Sequence, residues 1–463
     1  MKKTIKKEIL YLAGAQIVKE MECRGWIAYF AGGFVRDLIL GRTIKDIDIA
    51  TNASPDEVEK IFPNTFETGK AFGVVNVMWN DLRFEVASFR QEREYSDGRH
   101  PNSVTYTDDP VIDSKRRDFT INSMFYSPTT EEIMDFQGGL NDLRLGIIRT
   151  VGDPLKRFEE DHLRIMRAVR FAAEFSFDIE YNTEQAMKLD VGLLKKISTE
   201  RIRDEIDKML RGFDPSRAIS KLCEIGAIQI IIPEIKDMNG TPQDPDYHPE
   251  GDVMEHTLLM LSHLVAPSSE LAWSVLLHDC GKPTSFSIGK DDGRMHFYGH
   301  EDLGASIALE IMNRFKMSSK ACDSVVASVK NHMRISSATK MRKAKVLRML
   351  CSESFPDELE LHRVDCISSH RKMDSYLYLL DRFSEFELRP QISDPMVTGT
   401  DLINAGLKPG PVFSKILSEL HNRQIENPSL EKKDLMDILP VIIEQIKVSC
   451  PDGCWQEPSN VKH

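Results

Sequence analysis

One stretch, AGGFVRDLILGRTIKDIDIAT from Ala31 to Thr51, constrains this chain more than any other. Two adjacent glycines open it, a helix-forming run follows, and it ends on two acids, Asp46 and Asp48, separated by one apolar residue. On a strand, alternation sends both carboxylates to one face and Ile47 and Ile49 to the other. Two neighbouring acids repel unless a cation lies between them. A hard divalent ion such as Mg²⁺, shared with substrate phosphates, suits that task. Gly32 and Gly33 permit a close backbone approach to a phosphate, and the following helix offers its N-terminus, with Arg36 one turn in. An isolated Asp-x-Asp is usually a pair of solvated acids; glycine turn, arginine and acid pair within seventeen residues make a stronger case. Glu85, in a neighbouring strand, is either a third acid of this site or an exposed strand glutamate, and both readings stay open.

Around this stretch the chain reads as α+β. VVNVMW (Val74 to Trp79) and RFEVASF (Arg83 to Phe89) flank Asn80-Asp81 and predict a hairpin. FRQEREYSDGRHPNSV, from Phe89 to Val104, is polar and punctuated by Gly98 and Pro101, and reads as a mobile loop. After Asp153-Pro154, an N-cap followed by proline at the first helical position, helical periodicity takes over. A Pro/Asp/Gly-rich loop from Met238 to Gly251 and a second break near Pro390 to Pro395 divide the helical part. The expected organisation is a head with a mixed sheet (residues 1–145), a helical neck and body (146–240), a second helical domain (241–385) and a helical tail (386–463).

Composition excludes several classes. MKKTIKKEILYLAGAQIV is interrupted by Glu8, Gln16 and Lys19 and lacks a small-residue cleavage pattern, so an amphipathic helix is expected rather than a signal peptide. No apolar run reaches the ~18 residues of a membrane span. The eight cysteines follow no framework spacing, and Cys450 and Cys454 lack partners for a zinc site. A cytoplasmic protein with reduced thiols fits best. The net charge of −12 argues against indiscriminate nucleic-acid binding, yet leaves room for a local basic surface.

Three motifs then occur in order: GGFVRDLILG…KDIDIAT, RRDFTINSM (Arg116 to Met124) and EEDHLRIMRAVRF (Glu159 to Phe171). In order and spacing they resemble the class II tRNA nucleotidyltransferases, a family of CCA-adding enzymes, A-adding enzymes and bacterial poly(A) polymerases. The resemblance implies a polymerase-β-like head in which Asp46 and Asp48 hold two Mg²⁺ ions. It further implies that Gly33, Arg36 and Arg117 contact the incoming nucleotide, with Asp118 and Asn122 near its ribose. Joining a nucleotide to a 3′-OH is an in-line displacement at the α-phosphorus; one metal activates the hydroxyl and the other steadies pyrophosphate.

From Asp153 to Phe171 the pattern predicts one helix, which makes Asp161 and Arg164 surface neighbours, with Arg167 and Arg170 continuing the spacing. By itself this is an ion pair on a solvated face. The resemblance implies instead that Asp161 and Arg164 read the Watson–Crick edge of CTP or ATP, since fixed donors and acceptors discriminate bases without a nucleic-acid template. The Phe89 to Val104 segment resembles the loop this family uses in switching from C to A addition. TGKAFGVVNV (Thr68 to Val77) looks like the CCA-type sequence rather than the poly(A) polymerase type.

The helical half carries further chemistry in HPEGDVMEHTLLML, LLHDCGKP, HFYGHEDLGA, KNHMRI and LHRVDCISSH. His256, His278-Asp279, His300, His332 and Asp365 combine imidazole and carboxylate, which suits Mn²⁺, Ni²⁺, Fe²⁺ or Co²⁺. This order, with Gly281-Lys282, resembles the HD superfamily of metal-dependent phosphohydrolases, and implies a metal site that either hydrolyses phosphate esters or serves as structure. Lys340, Arg342, Lys343, Lys345 and Arg348 form a basic run that either touches an RNA backbone or is a solvated helix face. VTGTDLINAGLKPGPVFSKILSEL (Val397 to Leu420) resembles the family's C-terminal segment. The expectation is CCA addition to tRNA from CTP and ATP, with A addition or poly(A) synthesis as alternatives within the chemistry. A phosphohydrolase carrying an inactive head is the alternative from another class. No membrane or protein partner is evident.

Overall fold

The computed structural model describes residues 2–66, 73–95, 98, 101–385 and 391–449. Half of the CCA-type run Thr68 to Val77, part of the Phe89 to Val104 segment, Pro390 and the Cys450/Cys454 pair therefore lie outside the described residues. The chain divides into two compact units. The first comprises Met1–Thr241, Val253–Leu276 and Glu310–Ser318, and the second Pro242–Asp252, Leu277–Leu309 and Ser319–His463. Among the described residues no helix is long and apolar enough to cross a membrane.

In the first unit a seven-stranded sheet is built from β1 (Ala28–Ala31), β2 (Asp48–Thr51), β3 (Thr65–Phe66), β4 (Val74–Trp79), β5 (Leu82–Ser88), β8 (Phe125–Ser127) and β9 (Glu132–Met134). Its order is β3-β4-β5-β2-β1-β8-β9. Only β2 and β5 run parallel; every other pairing is antiparallel. The mixed sheet matches the expected fold class. The β4–β5 hairpin turns on Asn80 and Asp81, whose φ values of 52° and 60° mark a type I′ turn that suits the twist of the strands. The first helix, α1 (Lys2–Glu22), buries Ala13, Ile17, Val18 and Met21, and its Tyr11 ring meets Phe30 edge-on at 5.7 Å.

Three local expectations are corrected. Asp46 is not on a strand: β2 begins at Asp48, because Asp48 pairs with Ala31, the last residue of β1, and the residues before it have no partner strand. The polar segment after Phe89 is not an irregular loop either. Strands β6 (Arg90–Tyr95) and β7 (Pro101–Tyr106) pair antiparallel as a separate two-stranded sheet, which satisfies backbone groups without an alternating apolar face to betray it. The neck is not one helix: α6 (Pro154–Glu160) and α7 (Leu163–Phe175) are broken at Asp161, whose backbone is extended at φ −140°, ψ 103°. Its carboxylate accepts from Leu163 N at 3.1 Å, the capping role that aspartate favours over a helix interior. The Asp153 cap and Pro154 start of α6 are as expected.

The second unit is helical apart from a short hairpin, Ser287–Ile288 with Met295–His296. The 3-10 helix His332–Lys340 and the helices Lys343–Leu350, Phe355–Ser368 and Asp374–Ser384 gather a core around Ile335, Phe355 and Leu379. The tail helices Gly399–Asn404, Pro411–Glu426, Lys432–Asp437 and Leu439–Ser449 share another, around Leu402, Leu420 and Leu435.

Candidate functional site

Register across the sheet sets the head's geometry. Glu85 pairs with Asp48, Asp48 with Ala31 and Ala31 with Phe125, so these four residues form one cross-strand row facing one way. Asp46, Asp48 and Glu85 are all exposed, while Ile47 and Ile49 are buried. Desolvation in the cleft, then Asp46 and Glu85, push the Asp48 carboxyl up to about 6, against the opposing pull of Arg117. An acid whose proton affinity is raised by two neighbouring carboxylates marks a site that a divalent cation relieves. Glu85 also meets Arg83 Nη2 at 3.0 Å.

β1 ends at Gly32, whose φ of 65° L side chains rarely adopt, and α2 (Gly33–Ile39) starts at once. A Cβ on Gly32 would lie 3.3 Å from Arg117 Nη1, so the bare glycine and that guanidinium share one edge of the cleft. Arg36, 9% exposed, donates to Asn122 Oδ1 at 2.7 Å and lies 4.6 Å over the Phe175 ring. Asn122 Nδ2 in turn donates to Asp118 Oδ1 at 3.1 Å. Asp118 and Arg167 pair through two N–H groups on one oxygen.

Asp161 and Arg164 do not pair with each other. Asp161 accepts from Arg201 at 3.1 and 3.2 Å. Arg164, 8% exposed, donates to Glu160 at 2.7 Å and to the carbonyls of Arg157 and Arg116 at 3.0 and 3.1 Å. The helix break at Asp161 separates the two side chains and gives each its own partners. Arg170 meets Glu205 at 2.7 Å. Arg201, Glu205 and Asp113 were not singled out from sequence. Asp113 had a signal, lying three and four residues before Arg116 and Arg117 at a helix end.

In the second unit, His278, Asp279, His300 and His332 converge. Asp279 Oδ2 lies 3.0 Å from His278 Nε2 and 2.7 Å from Lys282 Nζ, and its Oδ1 lies 3.5 and 3.7 Å from Nε2 of His300 and His332. The Nδ1 atoms of His300 and His332 face the carbonyls of Phe297 and Val329 at 2.8 and 2.6 Å. A carbonyl only accepts, so each Nδ1 carries the proton and each Nε2 presents a lone pair. Those two Nε2 atoms are 3.1 Å apart. Burial holds His332 down to about 4, so it stays neutral. Burial alone would raise Asp279, but His278 and Lys282 outweigh it and keep it ionised. Two imidazole lone pairs and the Oδ1 of Asp279 converge on one point, and a metal ion there satisfies all three. Gly281 is required here, since a Cβ would lie 2.2 Å from the His300 carbonyl oxygen. Asp365 lines the same cavity of about 490 Å³, together with Tyr298, His362, His370 and Lys372. His256 is fully buried on the helix Val253–Ser262, which belongs to the first unit.

The basic run is split. Lys340 ends a 3-10 helix and Arg342 precedes the helix bearing Lys343, Lys345 and Arg348. Carboxylates of Glu419 and Glu426 hold Arg342 at 2.8 to 3.0 Å, and His421 and Asn422 hold Arg348. Lys340, Lys343 and Lys345 stay exposed.

The family model "Poly A polymerase head domain" matches residues 28–149, the span that holds the acid row. "Probable RNA and SrmB-binding site of polymerase A" matches 176–239, and "HD domain" matches 253–368. The fold matches the crystal structure of the Bacillus stearothermophilus CCA-adding enzyme in complex with CTP, with a TM-score of 0.70 and 27% identity over 95% of this chain and 99% of that one. In chain order, then, a poly A polymerase head is followed by an RNA-binding segment and an HD domain. Among curated relatives, the CCA-adding enzyme of Bacillus licheniformis is 43% identical over 219 residues, 47% of this chain and 55% of that protein. That of Lactobacillus helveticus is 46% identical over 200 residues, 43% of this chain and 50% of that protein. The match spans about half the length of these curated relatives. Both the nucleotidyltransferase head and the HD domain imply dependence on a divalent metal.

Proposed function

We propose that this chain adds CCA to the 3′ ends of tRNA from CTP and ATP, without a nucleic-acid template. The observation that carries this is the row placing Asp48 beside Glu85, with Asp46 alongside and Arg117 at the glycine turn. Mg²⁺, as two ions held by Asp46 and Asp48, would supply Lewis acidity to the attacking hydroxyl and the departing pyrophosphate. Arg117 and Arg36 provide guanidinium groups beside the Gly32–Gly33 turn, suited to a triphosphate. Asp118 and Asn122 are tied into one hydrogen-bonded line with Arg36 and Arg167, which fixes the ground on which a ribose would rest. Asp161, Arg164, Arg167 and Arg170 line the neck as base-selecting candidates, and Lys340, Lys343 and Lys345 remain available to an RNA backbone. The names of the relatives support the reading, as do a bound CTP in the Bacillus stearothermophilus structure and a tRNA in that of Thermotoga maritima. A cytoplasmic setting accords with it, since no two described cysteines are bridged.

The test offers tRNAs ending at the discriminator base, at C and at CC, each with single labelled nucleotides. CCA addition completes all three and stops. Extension from CC alone would replace the reading with A addition, and long A tails with poly(A) synthesis.

A second activity, hydrolysis of phosphate monoesters or 2′,3′-cyclic phosphates, is favoured by the facing Nε2 lone pairs of His300 and His332. Mn²⁺, Ni²⁺, Fe²⁺ or Co²⁺ suits that donor set. Phosphate release with Ni²⁺ or Mn²⁺ should vanish in His278→Ala and Asp279→Ala; equal release from these variants overturns it.

A further inference from the structure

We propose that Asp113 is a positioning residue that holds Arg117 back from the acid row, so that Asp46 and Asp48 stay open to a divalent cation. The inference rests on the reading above that these acids take the metal.

Asp113 lies within the helix α4 (Pro110–Lys115) and is 1% exposed. Its Oδ1 accepts from Arg116 Nε at 2.7 Å and from the backbone N–H of Arg90 at 3.2 Å. Its Oδ2 accepts from Arg117 Nη2 at 3.0 Å and Nε at 3.3 Å. Burial alone would neutralise such a carboxyl, but the charges of Arg116 and Arg117 outweigh it and keep it ionised. One buried carboxylate therefore grips two consecutive arginines and the first residue of the β6–β7 hairpin.

The side on which Arg117 is gripped matters. Its guanidinium lies 4.9 Å over the Phe125 ring, and Phe125 stands in the row that runs through Ala31 to Asp48. Two strand spacings, roughly 10 Å, separate Phe125 from Asp48. Arginine is long, planar and charged, and its fork matches a carboxylate. Without a competing partner it would move along the row onto the acids and neutralise them from within, where it would displace a divalent ion from the same oxygens. The bidentate hold by Asp113 keeps the guanidinium at the Gly32 turn, beside rather than upon the acids. The other hydrogen bond that Arg117 makes among the described residues, Nη1 to Asn122 O, is long at 3.4 Å and cannot do so.

The test measures Mn²⁺ binding by the electron paramagnetic resonance signal of the free ion, without nucleotide. It uses the full chain carrying Asp279→Ala to silence the second cluster. The parent should bind Mn²⁺ in a manner abolished by Asp48→Asn; absence of that binding overturns the metal reading and this inference with it. With parent binding present, Asp113→Asn should weaken Mn²⁺ about tenfold through the guanidinium now paired with the acids. Adding Arg117→Gln should restore it to within about twofold. Unchanged affinity in Asp113→Asn overturns the inference alone. So does a loss that Arg117→Gln fails to restore, which assigns the effect to general loosening. Arg117→Gln by itself keeps the question decidable if Asp113→Asn does not fold. With Asp113 intact it should change affinity less than about twofold, and a tenfold gain overturns the inference because Arg117 would already be competing.

Discussion

Arg167 reaches Asp118 with two donors on one oxygen, Nε at 3.0 Å and Nη2 at 2.5 Å, and so ties the neck helix α7 to the RRDF motif. Asp118 passes the connection on through Asn122 to Arg36. Three charged or polar residues that sequence places near a nucleotide are thus one continuous line before any nucleotide arrives.

That line has a pH signature. Burial alone would raise Asp118, but Arg167 and the bonds from Asn122 and Phe119 outweigh it and hold it at about 2, below its ordinary 3.8. A depressed carboxyl stabilises the fold above its unfolded value and loses that contribution as pH falls towards the folded value. Stability of roughly 2 kcal/mol should therefore disappear between pH ~4 and ~2. Thermal melts of wild type and Asp118→Asn should differ at pH 7 and converge near pH 2. A constant difference across that window would refute the linkage.

Replacing Asp46 or Asp48 by alanine should lower nucleotide incorporation by roughly a thousandfold or more. The melting temperature should not fall, because each change removes repulsion from a crowded row. Single-turnover rates and calorimetry on the same preparations check both halves. Active variants, or destabilised ones, would count against a metal-holding role.

Gly32→Ala should cost roughly 1–3 kcal/mol through its positive φ. It should also crowd Arg117, whose Nη1 would lie 3.3 Å from the new methyl. A raised KM for CTP and ATP alike is expected, alongside a lower melting temperature. A normal KM would mean that the turn does not approach the triphosphate.

Saturating Mn²⁺ or Ni²⁺ should raise the melting temperature of the second unit, since about 100 times Kd of a native-state ligand adds about 2.7 kcal/mol. His332→Ala and Asp279→Ala should abolish the shift. Persistence of the shift in both would place the metal elsewhere.

Some of this was legible in the amino acids because the cause is local. Asn80-Asp81 turns because those residues tolerate positive φ, and the Asp153 cap needs only Leu155 two positions on. Other features have distant causes. Whether Glu85 joins Asp48 depends on a parallel register that only tertiary structure sets. The break at Asp161 is held by Arg201, forty residues later, so periodicity alone extends the helix through it. The β6–β7 hairpin sets charged residues of β6 such as Glu92 opposite Val104, and the run Arg90 to Glu94 carries no apolar stripe to read.

The row through Glu85, Asp48, Ala31 and Phe125 also governs how the head is made. Ala31 sits between Asp48 and Phe125, so a chain still being synthesised cannot complete the row until Phe125 has emerged. Until then β1 carries an open hydrogen-bonding edge, which is a template for pairing with another chain. Head formation is thereby gated by the arrival of β8, and a chain ending before it would hold the acids yet expose a sticky margin in place of a finished cleft.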